Sequence, residues 1–222
     1  MTVHSLRAPQ LADSADGAGS DDPQRRRSGR WKMLLVLLMC AAPVIASYFT
    51  YFVIRPEGRT NYGTLILPTR SMPALALTTL DGAAVAPASL RGQWLLVVVG
   101  PSSCDEACQK RLFMQRQLRE MLGRERDRLD KVWLVTDGGA VAAPLRAAMQ
   151  AGEPTLVLRG DAAALAQWLQ PEAGGKLEEH LYVVDPMGEW MLRVPANPEP
   201  ARAKRDLDKL LRASSFWDTA GR

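Results

Sequence analysis

Residues 33–54 read MLLVLLMCAAPVIASYFTYFVI, 22 consecutive positions without a charge. A hydrocarbon core about 30 Å thick needs about 20 such residues in a helix. Only a helix or a closed barrel satisfies its backbone there, so this segment is predicted to be one transmembrane helix. Pro43 lies near its middle, which membrane helices tolerate. Trp31 stands at one end and Tyr48, Phe49, Tyr51 and Phe52 at the other, as interfacial aromatics do. Arg25, Arg26, Arg27, Arg30 and Lys32 precede the span. By the positive-inside rule they hold the N-terminus in the cytoplasm and place the rest of the chain across the membrane. The run is too long, and too far from the N-terminus, to read as a cleaved signal peptide.

The span divides the 222 residues. Residues 1–32 are rich in Ala, Ser, Gly and Asp with no apolar period, and are expected to be a disordered cytoplasmic tail. Residues 55–72 read as a linker, 73–213 as a folded domain and 214–222 as a C-terminal tail. The net charge is +4, and half of it comes from the first 32 residues, which hold six basic residues against four acids. The outer domain is close to neutral, which argues against a nucleic-acid surface. Three cysteines cannot form a disulfide scaffold.

The outer domain alternates strand and helix patterns. The apolar run Leu95–Val99 and the segment Lys131–Thr136, apolar after its lysine, read as buried strands. Residues 106–122, 141–150, 161–169 and 201–212 have helix composition, with Asp161 as a candidate N-cap. Leu181–Val184 and Trp190–Val194 flank an Asp-Pro-Met-Gly turn. This order predicts an α/β domain with a mostly parallel central sheet flanked by helices, the late hairpin forming an antiparallel edge.

Cys104 and Cys108 follow the first buried strand and open a helix, where ligands bind in open α/β sheets. A helix N-terminus also favours thiolate. Four-residue spacing on one helical face sets Cβ atoms about 5–6 Å apart, which suits a soft metal better than a relaxed disulfide. His180 is the one histidine of the outer domain. Two thiolates with one imidazole suit Cu(I), and Cu(II) with an added water or carboxylate. Glu178 and Glu179 are candidate orienting carboxylates, Met72 and Met187 candidate thioether ligands, and Asp137 a turn or capping residue.

These residues resemble the Sco/SenC family, thioredoxin-fold copper proteins that assist assembly of cytochrome c oxidase. The likeness rests on the CxxxC after LLVVVG, the histidine in EEHLYVVDPMGEWMLR, the entry segment LALTTLDGAAVAPASLRGQW and the N-terminal tether. It spans roughly residues 70–212. It implies a thioredoxin-like fold, copper held by Cys104, Cys108 and His180, and an oxidase subunit or another copper or thiol redox protein as partner. The role would be that of a metallochaperone rather than a turnover enzyme, in a bacterial inner membrane with the domain in the periplasm. Asp105 and Gln109 stand where the family has proline after each cysteine, and Thr136-Asp137-Gly138-Gly139 replaces its Asp-Pro and Arg-Asp-Thr passage. Two other readings stay open: a thiol–disulfide oxidoreductase cycling Cys104 and Cys108, and a degenerate scaffold with a static disulfide.

Overall fold

The computed structural model describes residues 23–54 and 61–214, in two compact units, residues 1–59 and 60–222. The expected tail is thus outside the described residues up to 22, as are most of the C-terminal tail and His4. In the first unit, helix α1 runs from Pro23–Phe49 and ends in a wider turn, Thr50–Ile54. The helix therefore begins within the segment expected to be disordered. Arg30–Phe52 is long and apolar enough to cross a membrane, and none of it is buried by protein.

The second unit is one sheet of eight strands. In chain order its elements are β1 (Thr64–Ser71), β2 (Leu77–Thr79), β3 (Ala84–Val85), β4 (Trp94–Gly100), α2 (Glu106–Met121), β5 (Leu129–Val135), α3 (Ala143–Gln150), β6 (Leu156–Arg159), α4 (Ala162–Trp168), β7 (Leu181–Val184), β8 (Glu189–Val194) and α5 (Pro200–Ala213). Across the sheet the order is β1-β8-β7-β4-β5-β6-β2-β3.

Trp-Leu-Leu-Val-Val-Val-Gly is buried along its whole length in β4 because both faces are covered. It lies parallel to β5 and antiparallel to β7. β5 and β6 are parallel; the other neighbours are antiparallel. The α/β, thioredoxin-like class holds, but the sheet is mixed rather than mostly parallel. The late hairpin does not form an edge. Its first strand is the inner neighbour of β4, and β1, from the segment expected to be a linker, covers β8 on the outside.

Alternation along the strands sends side chains to two cores. On one face Leu96, Val98, Trp133 and Val183 meet Leu112 and Leu118 of α2 and Ala203, Leu207 and Leu211 of α5. On the other, Val97, Leu134 and Tyr182 meet Leu165 and Trp168 of α4 and the Met72–Leu90 strap. The α5 residues are spaced by four, one stripe of an amphipathic helix.

Candidate functional site

Cys104 and Cys108 are joined as a disulfide, with Cα atoms 5.1 Å apart. The spacing argument assumed both on the first helical turn. In the fold, α2 starts two residues later, at Glu106. Asp105 is its N-cap, and its Oδ1 accepts from Cys108 N–H at 2.8 Å. Cys104 therefore lies in the loop, in the left-handed region at φ +24°. That turn brings its sulfur back over the helix start and closes the bond. The two side chains at the positions expected to hold proline both act on this loop, for Gln109 Nε2 donates to the Cys104 carbonyl at 3.1 Å. Both sulfurs lie in the core facing α2 and are nearly covered, at 2% and 1% exposure.

A second loop braces the first. Ser102 N–H donates to the Asp137 carboxylate at 3.2 Å, and Gly139 N–H donates to the same carboxylate at 3.0 Å. These bonds, the Ser102 hydroxyl first, hold the Asp137 carboxyl below its ordinary value, with Arg159 adding attraction. Arg159 of β6 also donates to the carbonyls of Asp137 and Gly139 at 2.7 and 2.9 Å. Gly139 packs closely on Ser102: a Cβ there would stand 2.2 Å from Ser102 Oγ and force that hydroxyl to turn away from its present place. Asp137 thus is the turn residue expected of it, and its turn supports the cysteine loop. Burial lowers the affinity of the Arg111 guanidinium on α2 for its proton, while Asp105, then Glu178 and Glu179, oppose this.

His180 arrives at the same end of the sheet. Antiparallel pairing of Val98 with Leu181 sets it beside the last turn-ward residues of β4. Its ring, however, shares a face with Tyr182, centroids 6.2 Å apart, whereas Leu181 and both cysteines belong to the opposite core. The ring is 1% exposed and engaged at both nitrogens. Nε2 accepts from Glu172 N–H at 3.2 Å, which leaves Nδ1 as the donor to the Val194 carbonyl at 3.0 Å. In this arrangement it offers a metal no lone pair. Among the described residues no three His, Cys, Asp or Glu side chains are grouped to hold a metal ion.

The remaining candidates disperse. Met72 N–H donates to the Gly188 carbonyl, and Gly92 N–H to that of Pro186, so Met72 and Met187 lie at the start of β4, the end of the sheet away from the cysteines. Glu179 accepts from Lys176 N–H and closes a short turn before His180. Trp133 lies in the cysteine core with its indole nitrogen buried and without a hydrogen-bond partner.

The fold has close counterparts. The apo Sco1 protein of Thermus thermophilus, solved in solution, is 20% identical, covers 71% of this chain and 98% of its own, and superposes with a TM-score of 0.51. Yeast Sco1 is 16% identical over 67% of this chain and 97% of its own, at 0.52. The copper-bound yeast Sco1 structure is 16% identical over 64% and 94%, at 0.50. The Sco/SenC resemblance of the sequence is thus matched by the fold. No curated protein matches. Residues 23–53 match the family model described as "Transmembrane-like, N-terminal domain". Residues 94–214, more than half the chain and all of the sheet from β4 onward, match "Transmembrane-like, thioredoxin-like, C-terminal domain". The chain belongs to this transmembrane-like, thioredoxin-like family.

Proposed function

We propose that this protein is a membrane-anchored thiol–disulfide redox protein whose working group is the Cys104–Cys108 pair. The observation that carries the reading is the closed pair itself, set where β4 ends and α2 begins. Its small loop makes it a poor staple. With a sequence separation of 4, the crosslink removes chain entropy worth about 2 kcal/mol in the loop-closure model. A non-glycine residue at positive φ costs about 1–3 kcal/mol, so Cys104 takes back much of that. Strain of this kind is better suited to a bond that opens. Reduction breaks the Sγ–Sγ bond and takes up two electrons and two protons from a partner dithiol, which leaves as a disulfide. Cys104, in the loop, is the sulfur a partner attacks once the 101–104 loop moves; Cys108, in the helix beneath it, is the leaving and resolving thiol. Helix N-terminal amides stabilise the departing Cys108 thiolate. The anchor is the apolar part of α1, and the arginines in the first turns of that helix orient the domain to the far side of a bacterial inner membrane, where disulfides persist.

A copper role is the second reading, favoured by the likeness to copper-bound yeast Sco1 and by the two sulfurs. The residues as folded do not fit a centre of two thiolates and one imidazole, because His180 has both nitrogens committed on the other face. An oxidase subunit as partner belongs to that reading; the thiol reading calls for a protein with an exposed dithiol or disulfide beside the same membrane.

The full chain in detergent micelles tests this. With Cys108→Ser, the freed Cys104 is expected to form a mixed disulfide with oxidised glutathione in the native state, and Cys104→Ser/Cys108→Ser to form none. A Cys104 that reacts only after denaturation would mark a static bond. One equivalent of Cu(I) held by the reduced chain, and lost in both Cys104→Ser and His180→Ala, would establish the copper reading instead.

A further inference from the structure

Trp133 is fully buried in β5, and its indole N–H has no hydrogen-bond partner in the oxidised protein. A buried donor left unmade is costly, and each one in a native fold calls for a reason. The reason lies over Gly100. A Cβ placed on that glycine would be 3.7 Å from Cys108 Sγ and 4.0 Å from Trp133 Nε1. The sulfur and the indole nitrogen thus both border the space that a side chain on Gly100 would fill, at the end of β4. In the disulfide, Cys108 Sγ is bonded to Cys104 and is a poor acceptor. Once reduced, it is a thiol or thiolate, free to turn about its own side-chain torsion, and thiolate sulfur is much the better acceptor.

We infer that Trp133 is a positioning residue for the redox pair: its N–H, idle in the disulfide, donates to Cys108 Sγ in the dithiol and so favours reduction. The inference rests on the thiol–disulfide reading of the same site. The exchange it tunes is the balanced one, in which two glutathione thiols deliver two electrons and two protons to the disulfide and leave as glutathione disulfide. Removing the N–H relieves an unmade donor in the oxidised state and deletes a hydrogen bond in the reduced state. Both effects push the equilibrium toward disulfide.

Trp133→Phe keeps a ring in the core and removes only the donor side of the indole. Full-length wild type and Trp133→Phe, in micelles, are equilibrated in glutathione buffers and the reduced fraction read by alkylation and mass. The variant is expected to need about tenfold more reducing buffer at midpoint, the size of one such hydrogen bond. In parallel, the Trp133 indole N–H resonance of the wild type, assigned by its loss in the variant, is expected to move downfield on reduction. An unchanged midpoint, or an indole resonance that does not move on reduction, overturns the inference. If Trp133→Phe fails to fold, the wild-type indole resonance is assigned instead through its proximity to the Gly100 backbone, and its response to reduction decides. A wild type that stays disulfide across the whole buffer range refutes the redox reading itself, and Trp133 with it. A wild type that cycles with a variant of equal midpoint refutes only the role of Trp133.

Discussion

Replacing His180 by alanine is expected to destabilise the folded domain by about 2–4 kcal/mol. The ring bridges two backbone groups far apart in the chain, Glu172 N–H and the Val194 carbonyl. Each would be left without its partner at a cost of about 1–3 kcal/mol where water cannot reach, less where it can. The lost ring also leaves a cavity beside Tyr182. A histidine kept for ligation would behave differently: its removal would weaken metal binding and leave the fold intact. Denaturant unfolding of wild type and His180→Ala in micelles separates the two. A drop in midpoint at unchanged slope is expected; equal midpoints would mean that the ring is not the brace described here.

The larger loss is expected from Trp94→Ala, about 3–5 kcal/mol. Trp94 is the first residue of β4, 1% exposed, and packs with Leu207 and Leu211 of α5 in one core. Its Nε1 donates to Ser214 Oγ at 3.1 Å, and Ser214 Oγ in turn donates to the Leu210 carbonyl at 2.8 Å. One side chain thus joins the central strand to the C-terminal helix. Alanine removes the indole, leaves a large cavity, and frees the end of α5. Trp94→Phe, which keeps most of the volume and loses the hydrogen bond, is expected to cost about 1–2 kcal/mol. Thermal unfolding with circular dichroism checks both; equal losses for Phe and Ala would show that the hydrogen bond, and not the packing, holds this corner.

The strands most legible in the sequence are the apolar ones of the sheet centre, with β8, which alternates, expected to within one residue through its hairpin turn. β4 and β7 are continuous apolar runs, β5 is apolar from Val132 onward, and their limits fall within two residues of the expected ones. β1 was not legible because it is an edge strand. Pro68 has no N–H to offer, and the pairing with β8 slips between Leu65 and Arg70. The place of β2 beside β6 rests on two residue pairs from distant segments, which no local pattern announces. At the site, Asp105 carried the signal that was missed. An aspartate three residues before the second cysteine is an N-cap, and an N-cap excludes Cys104 from the helix. With that boundary the four-residue spacing no longer means two sulfurs on one helical face. His180 had its signal too. Strand alternation puts it on the side of Tyr182 and Val184, away from Leu181 and Val183. Which core receives the cysteines depends on the side of the sheet taken by α2, and that is a property of the assembled fold.

The central claim is that the Cys104–Cys108 bond opens and closes reversibly in the native protein. The most direct measurement equilibrates the full chain in micelles with glutathione buffers from fully oxidising to fully reducing, approached from both ends, and counts free thiols by mass after acid quenching. The account expects one two-electron transition, the same from either direction, with the circular dichroism of the fold unchanged across it. A bond that stays closed until the domain unfolds would contradict it and leave Cys104–Cys108 a structural crosslink.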